Sequence, residues 1–187
     1  MPLNAEVQDE ITVLVHGGFE DAERIVEIIV DEMYEPGDLD EGEVQAFVAQ
    51  CYAALEHAKR SWPRVTDCDR LDHAFDQLEL QGVVCLQNAG YTQSDGYSDI
   101  REELRARTDA ERFIGYCFYH GQDLDRAVRG GGLLLAFGPL DAAQEHSLGL
   151  EVGQRVMRAL AASGLRAQWN GSFEERISMP VFDWKCR

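Results

Sequence analysis

The sequence predicts an α/β fold, with α+β as the alternative: acidic N-terminal helices, then a mostly parallel sheet with packed helices and a C-terminal β-hairpin. Three observations predict this architecture. Apolar residues recur at helical spacing up to about residue 80. Short apolar runs then alternate with helical segments from 83 to 169, an order typical of parallel strands joined by helices. Two segments of alternating polarity finally flank an Asn170-Gly171 turn, which indicates a hairpin.

Four helices are predicted in the N-terminal part, because apolar side chains repeat there every three or four positions. Pro36-Gly37 ends the second helix, and Asp40 with Glu43 resembles a capping box at the start of the third. The predicted segments are residues 6–16, 20–34, the stretch between Asp40 and Trp62, and 67–80. The side chains expected to face inward include Val7, Ile11, Leu14, Ile25, Ile28, Ile29, Met33, Val44, Val48, Leu55, Leu71, Phe75 and Leu78.

Three strands are predicted in the C-terminal part, where short β-rich runs are separated by turn residues. These runs are residues 83–86, 113–119 and 133–137. Ser94 or Asp95 is expected to cap a helix after the first run, and Asp123 to start a short helix after the second. A helix over 141–163 follows the third. The hairpin strands are Leu165–Trp169 and Ile177–Val181.

The charge pattern favours a basic partner. Residues 1–80 contain 20 Asp/Glu and 5 Lys/Arg, whereas the remainder contains 14 and 12, within a net charge of −17. Such a surface repels phosphate backbones and anionic membranes, so nucleic acid and membranes are excluded as partners. A merely solubilising surface is the alternative. The pattern change near Gly82 suggests an acidic helical layer or subdomain, 1–81, and an α/β domain, 82–187, forming one compact unit.

The cysteines and the N-terminus predict a cytoplasmic protein. The five cysteines are odd in number and show no CxxC spacing, which argues against a disulfide framework and against a zinc site of four thiolates. Acidic residues, not basic ones, precede the first apolar run, so no secretory signal is indicated. No apolar run approaches the ~18 residues that a membrane span requires.

Polar residues cluster after the first and second predicted strands. Ligands in open α/β sheets bind beyond the carboxyl ends of strands, so the two loops predict one binding cleft. His120 is the candidate base or ligand and Asp123 its candidate partner, although Asp123 also suits a helix start. The candidate binding residues are Asn88, Tyr91, Thr92, Gln93, Ser94, Asp95, Tyr119, His120, Gln122 and Asp123.

Other motifs predict neither a cofactor nor a metal. A Ser94–His120–Asp123 triad lacks the GxSxG elbow that would support it. The glycines at 130–132 follow a helix and open a strand, the reverse of a phosphate loop. The Cys/His spacings on the acidic helices place side chains on different faces, which excludes zinc pairs there. Without a complete catalytic constellation, the sequence favours a binding protein over an enzyme.

Two motifs carry a family resemblance. They are Gly115-Tyr116-x-Phe118-Tyr119-His120-x-Gln122-Asp123 and Trp169-x-Gly171-Ser172. With the flanking segments they resemble a bacterial family, the domain of unknown function numbered 6891, most closely over residues 80–187. The resemblance implies a cytosolic bacterial protein and supports the fold prediction, but it implies no particular activity.

The leading hypothesis is a non-enzymatic acidic protein-binding module, most concretely an immunity-type protein that masks a basic partner. The alternative is a small-molecule or metal-dependent site, with or without catalysis, formed by residues 88–97 and 119–123. A homodimer is the third hypothesis.

Overall fold

The computed structural model describes residues 3–35 and 37–187, with the backbone alone at His146. Pro36, at which the second helix was predicted to end, therefore lies outside the described residues. The chain forms two compact units, Met1–Thr66 with Lys185–Arg187, the helical unit, and Asp67–Trp184, the sheet unit. Helices and a four-stranded mixed sheet make up the described chain, which confirms the α/β class.

The described residues of the helical unit form three α-helices and one π-helix. Acceptor side chains begin each α-helix: Asn4, Asp21 and Asp40 accept hydrogen bonds from the backbone three residues later. The predicted cap at Asp40 is thus confirmed, with its Oδ1 3.0 Å from the Glu43 nitrogen. The elements are α1 (Ala5–Gly17), α2 (Ala22–Glu27), the π-helix (Ile28–Met33) and α3 (Glu41–Lys59).

The core of the helical unit consists of aliphatic side chains at helical spacing, as predicted. The hydroxyl of Tyr52 on α3 donates to the Glu20 carbonyl at 2.8 Å, which fixes the approach to α2. Burial of this apolar surface is the main stabilising contribution to the unit. The buried residues are Val7, Ile11, Val15, Ile25, Val26, Ile29, Val44, Val48, Cys51 and Leu55.

The π-helix corrects the prediction of one continuous α-helix over 20–34. Ile29 is buried as expected, but Met33 is 47% exposed instead of facing the core. A π-helix bonds each residue to one five positions away and so has more residues per turn than an α-helix. The 3.6-residue period that placed Met33 inside therefore fails beyond residue 28.

The sheet unit contains four α-helices and four strands, and it includes the last helix of the acidic N-terminal part. The change of sequence pattern near Gly82 consequently lies inside this unit. Its elements are α4 (Asp67–Leu80), β1 (Val83–Leu86), α5 (Gln93–Ala106), β2 (Gly115–Phe118), α6 (Gly121–Val128), β3 (Leu133–Pro139), α7 (Glu145–Ala162) and β4 (Ile177–Met179).

The sheet is mixed, which corrects the prediction of mostly parallel strands. Its order is β1-β2-β3-β4, and β1 and β2 are parallel, whereas β3 is antiparallel to both of its neighbours. After the 8-residue α6, Gly130 and Gly132, with φ of 80° and 76°, reverse the chain, so that β3 runs antiparallel to β2.

The predicted C-terminal hairpin is reduced to a single bridge. Gln168 and Ser178 exchange backbone hydrogen bonds of 2.7 and 2.9 Å, but the remainder of Leu165–Trp169 forms no strand. Side chains bind the turn itself: Trp169 Nε1 donates to the Ser172 carbonyl at 2.8 Å, and Asn170 Oδ1 accepts from the Ser172 nitrogen at 2.8 Å. These local bonds hold the segment in a turn that ladder pairing would disrupt.

Helices cover the sheet and leave β1 at one edge. Gly96 lets α5 approach β2 closely, since a Cβ there would overlap the ring of Phe118. The edge of β1 is protected by a side chain: Glu79 Oε1 accepts from the Cys85 nitrogen at 2.9 Å. Arg107 pairs with that carboxylate at 2.8 Å. An edge strand bonded in this way is a poor template for pairing with another chain.

Candidate functional site

The structure brings the two predicted polar loops together. The Ala89 nitrogen donates to the Tyr119 carbonyl at 2.9 Å, the Gly121 nitrogen to Gly90 at 2.8 Å, and the Gln122 nitrogen to Tyr91 at 3.2 Å. These bonds follow because β1 and β2 are parallel, so their carboxyl ends lie at the same edge.

His120 and Asp123 meet in a buried cluster with an arginine that the sequence did not single out. His120 Nε2 lies 3.0 Å from Asp123 Oδ2, and the two residues are 4% and 3% exposed. Arg176 Nη1 donates to the carboxylate oxygens Oδ1 and Oδ2 at 3.0 and 2.9 Å and lies 3.2 Å from His120 Nε2. The guanidinium charge thereby compensates a carboxylate that burial alone would destabilise.

Local sequence explains why the cluster forms at the start of α6. His120 is the residue before the helix, and Asp123, three positions later, accepts from the His120 nitrogen at 3.4 Å. The helix therefore begins at Gly121, two residues before the predicted start at Asp123. Arg176 comes from the segment immediately before β4, far away in sequence, so no local pattern could have indicated it.

Burial and the Arg176 charge favour the neutral form of His120. Burial lowers the pKa of His120 most strongly, the Asp123 carboxylate opposes this effect, and the Arg176 charge lowers the pKa further. The Tyr91 backbone raises the pKa of His120. His120 Nδ1 is buried, and no described partner meets it at the distance and angle of a hydrogen bond. A neutral imidazole that lies between a cation and an anion is suited to a structural network or to accepting one further donor.

The remaining loop residues mainly cap α5 or support the backbone. Thr92, and not Ser94 or Asp95, is the N-cap, and Asp95 Oδ2 accepts from its backbone nitrogen at 2.9 Å and its hydroxyl at 2.8 Å. These bonds lower the pKa of Asp95. Among the other predicted residues, Asn88 adopts a left-handed φ of 48°, and Tyr91 and Gln122 are exposed. Gln93 Nε2 donates to the Tyr97 hydroxyl at 2.6 Å. The Tyr119 hydroxyl donates to Gln87 Oε1 at 2.9 Å.

A small cleft lies beside Arg176, one member of this cluster. It has a volume of about 220 Å³ and is lined by Gln93, Tyr97, Ala136, Phe137, Phe173, Glu174, Glu175 and Arg176. His120 and Asp123 do not line it, so neither is placed to touch a molecule in the cleft. No hydrogen bond joins Ser94 to His120 in the part of the chain that the structure describes, and the geometry gives a Ser-His-Asp triad no support.

The described side chains, from which that of His146 is missing, include no cluster of three or more His, Cys, Asp or Glu residues arranged to hold a metal ion. None of the helices that the structure describes is long and apolar enough to cross a membrane.

A second and larger concave surface lies in the helical unit. This acidic groove, of about 770 Å³, runs between the α2–π-helix segment and α3. Val26 and Val48 are buried beneath it and Val30 is partly exposed, so its floor is apolar. The lining residues are Ala22, Glu23, Val26, Glu27, Val30, Asp31, Glu41, Gln45, Val48 and Ala49.

The groove carries four carboxylates and no lining Lys or Arg. Glu27 pairs at 2.9 Å with Arg24, which also binds Glu32, and Glu41 accepts from Gln45 Nε2 at 2.8 Å. Glu23 and Asp31 are exposed and form no ion pair with another described residue. The sequence predicted the acidity, but not the groove, because helical periodicity does not show where two helices diverge.

The fold and these two sites define an α/β protein with an acidic helical unit and a buried His-Asp-Arg cluster. Residues 2–187 match the family model described as Domain of unknown function (DUF6891). The chain therefore belongs to this family, and the resemblance found in the sequence extends over essentially the whole chain. No curated protein and no solved structure matches the chain.

Proposed function

We propose that this protein is a non-enzymatic, cytoplasmic bacterial binding module whose acidic groove engages a basic protein. An immunity-type role, in which the module masks a basic surface of its partner, is the most concrete form. The acidic groove is the observation that carries the proposal, because it combines an apolar floor with a rim of four carboxylates. Buried apolar contacts would supply affinity, and the carboxylates would select and steer the partner.

The distribution of charge supports this assignment to the helical unit. That unit contains 15 Asp/Glu against 6 Lys/Arg in 69 residues, compared with 19 against 11 in the 118 residues of the sheet unit. The negative charge per residue is therefore higher around the acidic groove. Such a field accelerates association with a positively charged partner at low ionic strength.

The test captures binding partners from the native cytosol with the wild-type protein and with a variant in which the charge of the acidic groove is reversed. The variant Glu23→Lys/Asp31→Lys reverses two groove carboxylates, and Glu6→Lys/Asp38→Lys makes the same charge change elsewhere in the helical unit. Glu6 and Glu23 are matched, since each lies exposed in the first turn of a helix. We expect a basic protein to bind the wild type and the Glu6→Lys/Asp38→Lys control at low salt. High salt should release this protein, and the groove variant should not capture it at either salt concentration.

Two outcomes would contradict the proposal. One is equal loss of the partner from both double variants, which would mean that diffuse charge, not the acidic groove, attracts it. The other is a confirmed complex whose association rate does not change with ionic strength. Light scattering of the purified protein tests the homodimer hypothesis in the same preparation.

We propose a small-molecule site in the cleft beside Arg176 as the second candidate function. The observation that favours it is the lining of the cleft, where Arg176 and Gln93 lie beside the aromatic Tyr97 and Phe173. A few polar groups beside aromatic rings are typical of small-molecule sites. Elemental analysis and mass spectrometry of the protein purified under native conditions test it, and a preparation free of any retained metal or small molecule would contradict it.

A further inference from the structure

We infer that the occupant of the acidic groove is a single amphipathic helix of the partner, with an apolar stripe on the valine floor and Lys or Arg on both flanks. This inference rests on the proposed function and specifies the chemistry of the partner.

The walls of the groove determine the shape of the occupant. One wall is the α2–π-helix segment and the other is the first half of α3, where the lining residues run from Glu41 to Ala49 over about 12 Å. A groove between two helices accepts a third helix by the packing of its side-chain ridges. Ala22 and Ala49 on the two walls are small enough to let another backbone approach.

The floor and the rim determine the polarity of the occupant. Val26, Val30 and Val48 offer apolar contact along the groove, which matches a stripe of apolar side chains repeated every three or four residues. Glu23, Glu27 and Asp31 border the floor on one wall and Glu41 on the other. Cationic side chains on either side of the apolar stripe would therefore meet carboxylates on both walls.

The π-helix supplies apolar surface that the helical unit does not cover. Val30, on this segment, remains partly exposed, and Met33 at its end is 47% exposed. π-Helices are rare and are frequently found at functional sites. A second copy of this chain is a poor occupant, because two molecules with a net charge of −17 repel each other.

The experiment uses synthetic peptides and a pair of variants that leave the charge unchanged. Ala49→Trp fills the groove, whereas Ala54→Trp places the same bulk on α3 at an exposed position that does not line it. The probe is a fluorescent peptide of about 18 residues, above the ~12–15 residues below which an isolated helix is marginal, with Leu at helical spacing and Lys on the flanks. The control peptide has the same composition with the leucines scattered over all faces.

We expect the striped peptide to bind the wild type and Ala54→Trp at least about tenfold more tightly than it binds Ala49→Trp, by fluorescence anisotropy. The scattered peptide should bind the wild type at least about tenfold more weakly than the striped one. Equal binding of the two peptides, or an unchanged dissociation constant in Ala49→Trp, would overturn the helix inference. The charge-reversal capture experiment would still decide the proposed function, so the two failures are distinguishable.

Discussion

Arg176 and Asp123 form a buried ion pair across 53 positions of the chain, in which one guanidinium nitrogen donates to both carboxylate oxygens, at 3.0 and 2.9 Å. Asp123 is 3% exposed and Arg176 is 31% exposed, so the carboxylate depends on the arginine for its compensation. The pair joins the start of α6 to the segment before β4. It also holds His120 in place, since Arg176 Nη1 lies 3.2 Å from the imidazole.

Removal of the arginine charge should therefore destabilise the sheet unit strongly. We expect Arg176→Met to lower the free energy of unfolding by about 3 kcal/mol, because it leaves a buried carboxylate without a partner. Arg158→Met is the control, since Arg158 is exposed on α7 and no ion pair with a described residue is found for it. Urea unfolding followed by tryptophan fluorescence in a Trp62→Phe background reports on the sheet unit, where Trp169 and Trp184 lie. A loss no larger than that of Arg158→Met would show that the pair contributes little.

The neutral His120 should make the sheet unit less stable as the pH falls. Burial lowers the pKa of His120 below 6.5, so the unfolded chain takes up a proton at a higher pH than the folded one. The loss of unfolding free energy caused by His120 is absent well above pH 6.5. It grows as the pH falls through 6.5 toward the pKa of His120 in the folded protein.

The measurement compares the wild type with His120→Asn, which retains a capping side chain, by urea unfolding at about pH 7.5 and about pH 5. The wild type should lose more stability over this interval than the variant. Burial also lowers the pKa of His16, but that residue is unchanged in the comparison. If the wild type and His120→Asn lost the same unfolding free energy between the two pH values, His120 would have the same pKa in the folded and the unfolded protein.

The thiols of β1 and β2 should resist alkylation in the folded protein. Cys85 and Cys117 lie opposite each other in the parallel register, where Cys117 is fully buried and Cys85 keeps a small exposed surface. Burial raises the pKa of Cys85 well above its ordinary value, and the neighbouring Cys117 raises it further. We expect iodoacetamide to modify neither thiol before the protein unfolds, as measured by quenched labelling and peptide mass spectrometry. Rapid labelling of Cys85 in the native protein would mean that its thiolate is accessible.

Local sequence determined the helices and the fold class, whereas contacts distant in sequence determined the rest. The carboxylate at position 40 caps α3 because a cap requires only a side chain three residues from its donor. The alternation of strand and helix does not encode strand direction, because it does not show whether the chain crosses the sheet after α6 or reverses at Gly130 and Gly132. His120 and Asp123 were predictable as neighbours, but their charge partner Arg176 lies in a turn that the sequence indicated only as part of a hairpin.

Glu79 binds the edge of β1 on the side where no further described strand pairs. Its carboxylate accepts from the Cys85 nitrogen at 2.9 Å and pairs with Arg107 at 2.8 Å. Glu79→Ala removes the acceptor of the Cys85 nitrogen, whereas Arg107 keeps its 2.7 Å pair with Glu103. We expect the variant to lose about 1–3 kcal/mol of unfolding free energy by urea unfolding. It should also associate at high concentration in light scattering, because the edge nitrogen becomes available to another chain.

Two comparisons make this result specific. Glu79→Gln keeps an oxygen acceptor for Cys85 and loses the charge, so it should retain the monomeric state while losing part of the stability. Glu102→Ala removes an exposed carboxylate of the same unit and should change neither property. If Glu79→Ala remains monomeric and as stable as Glu102→Ala, the edge of β1 is protected by something other than this carboxylate.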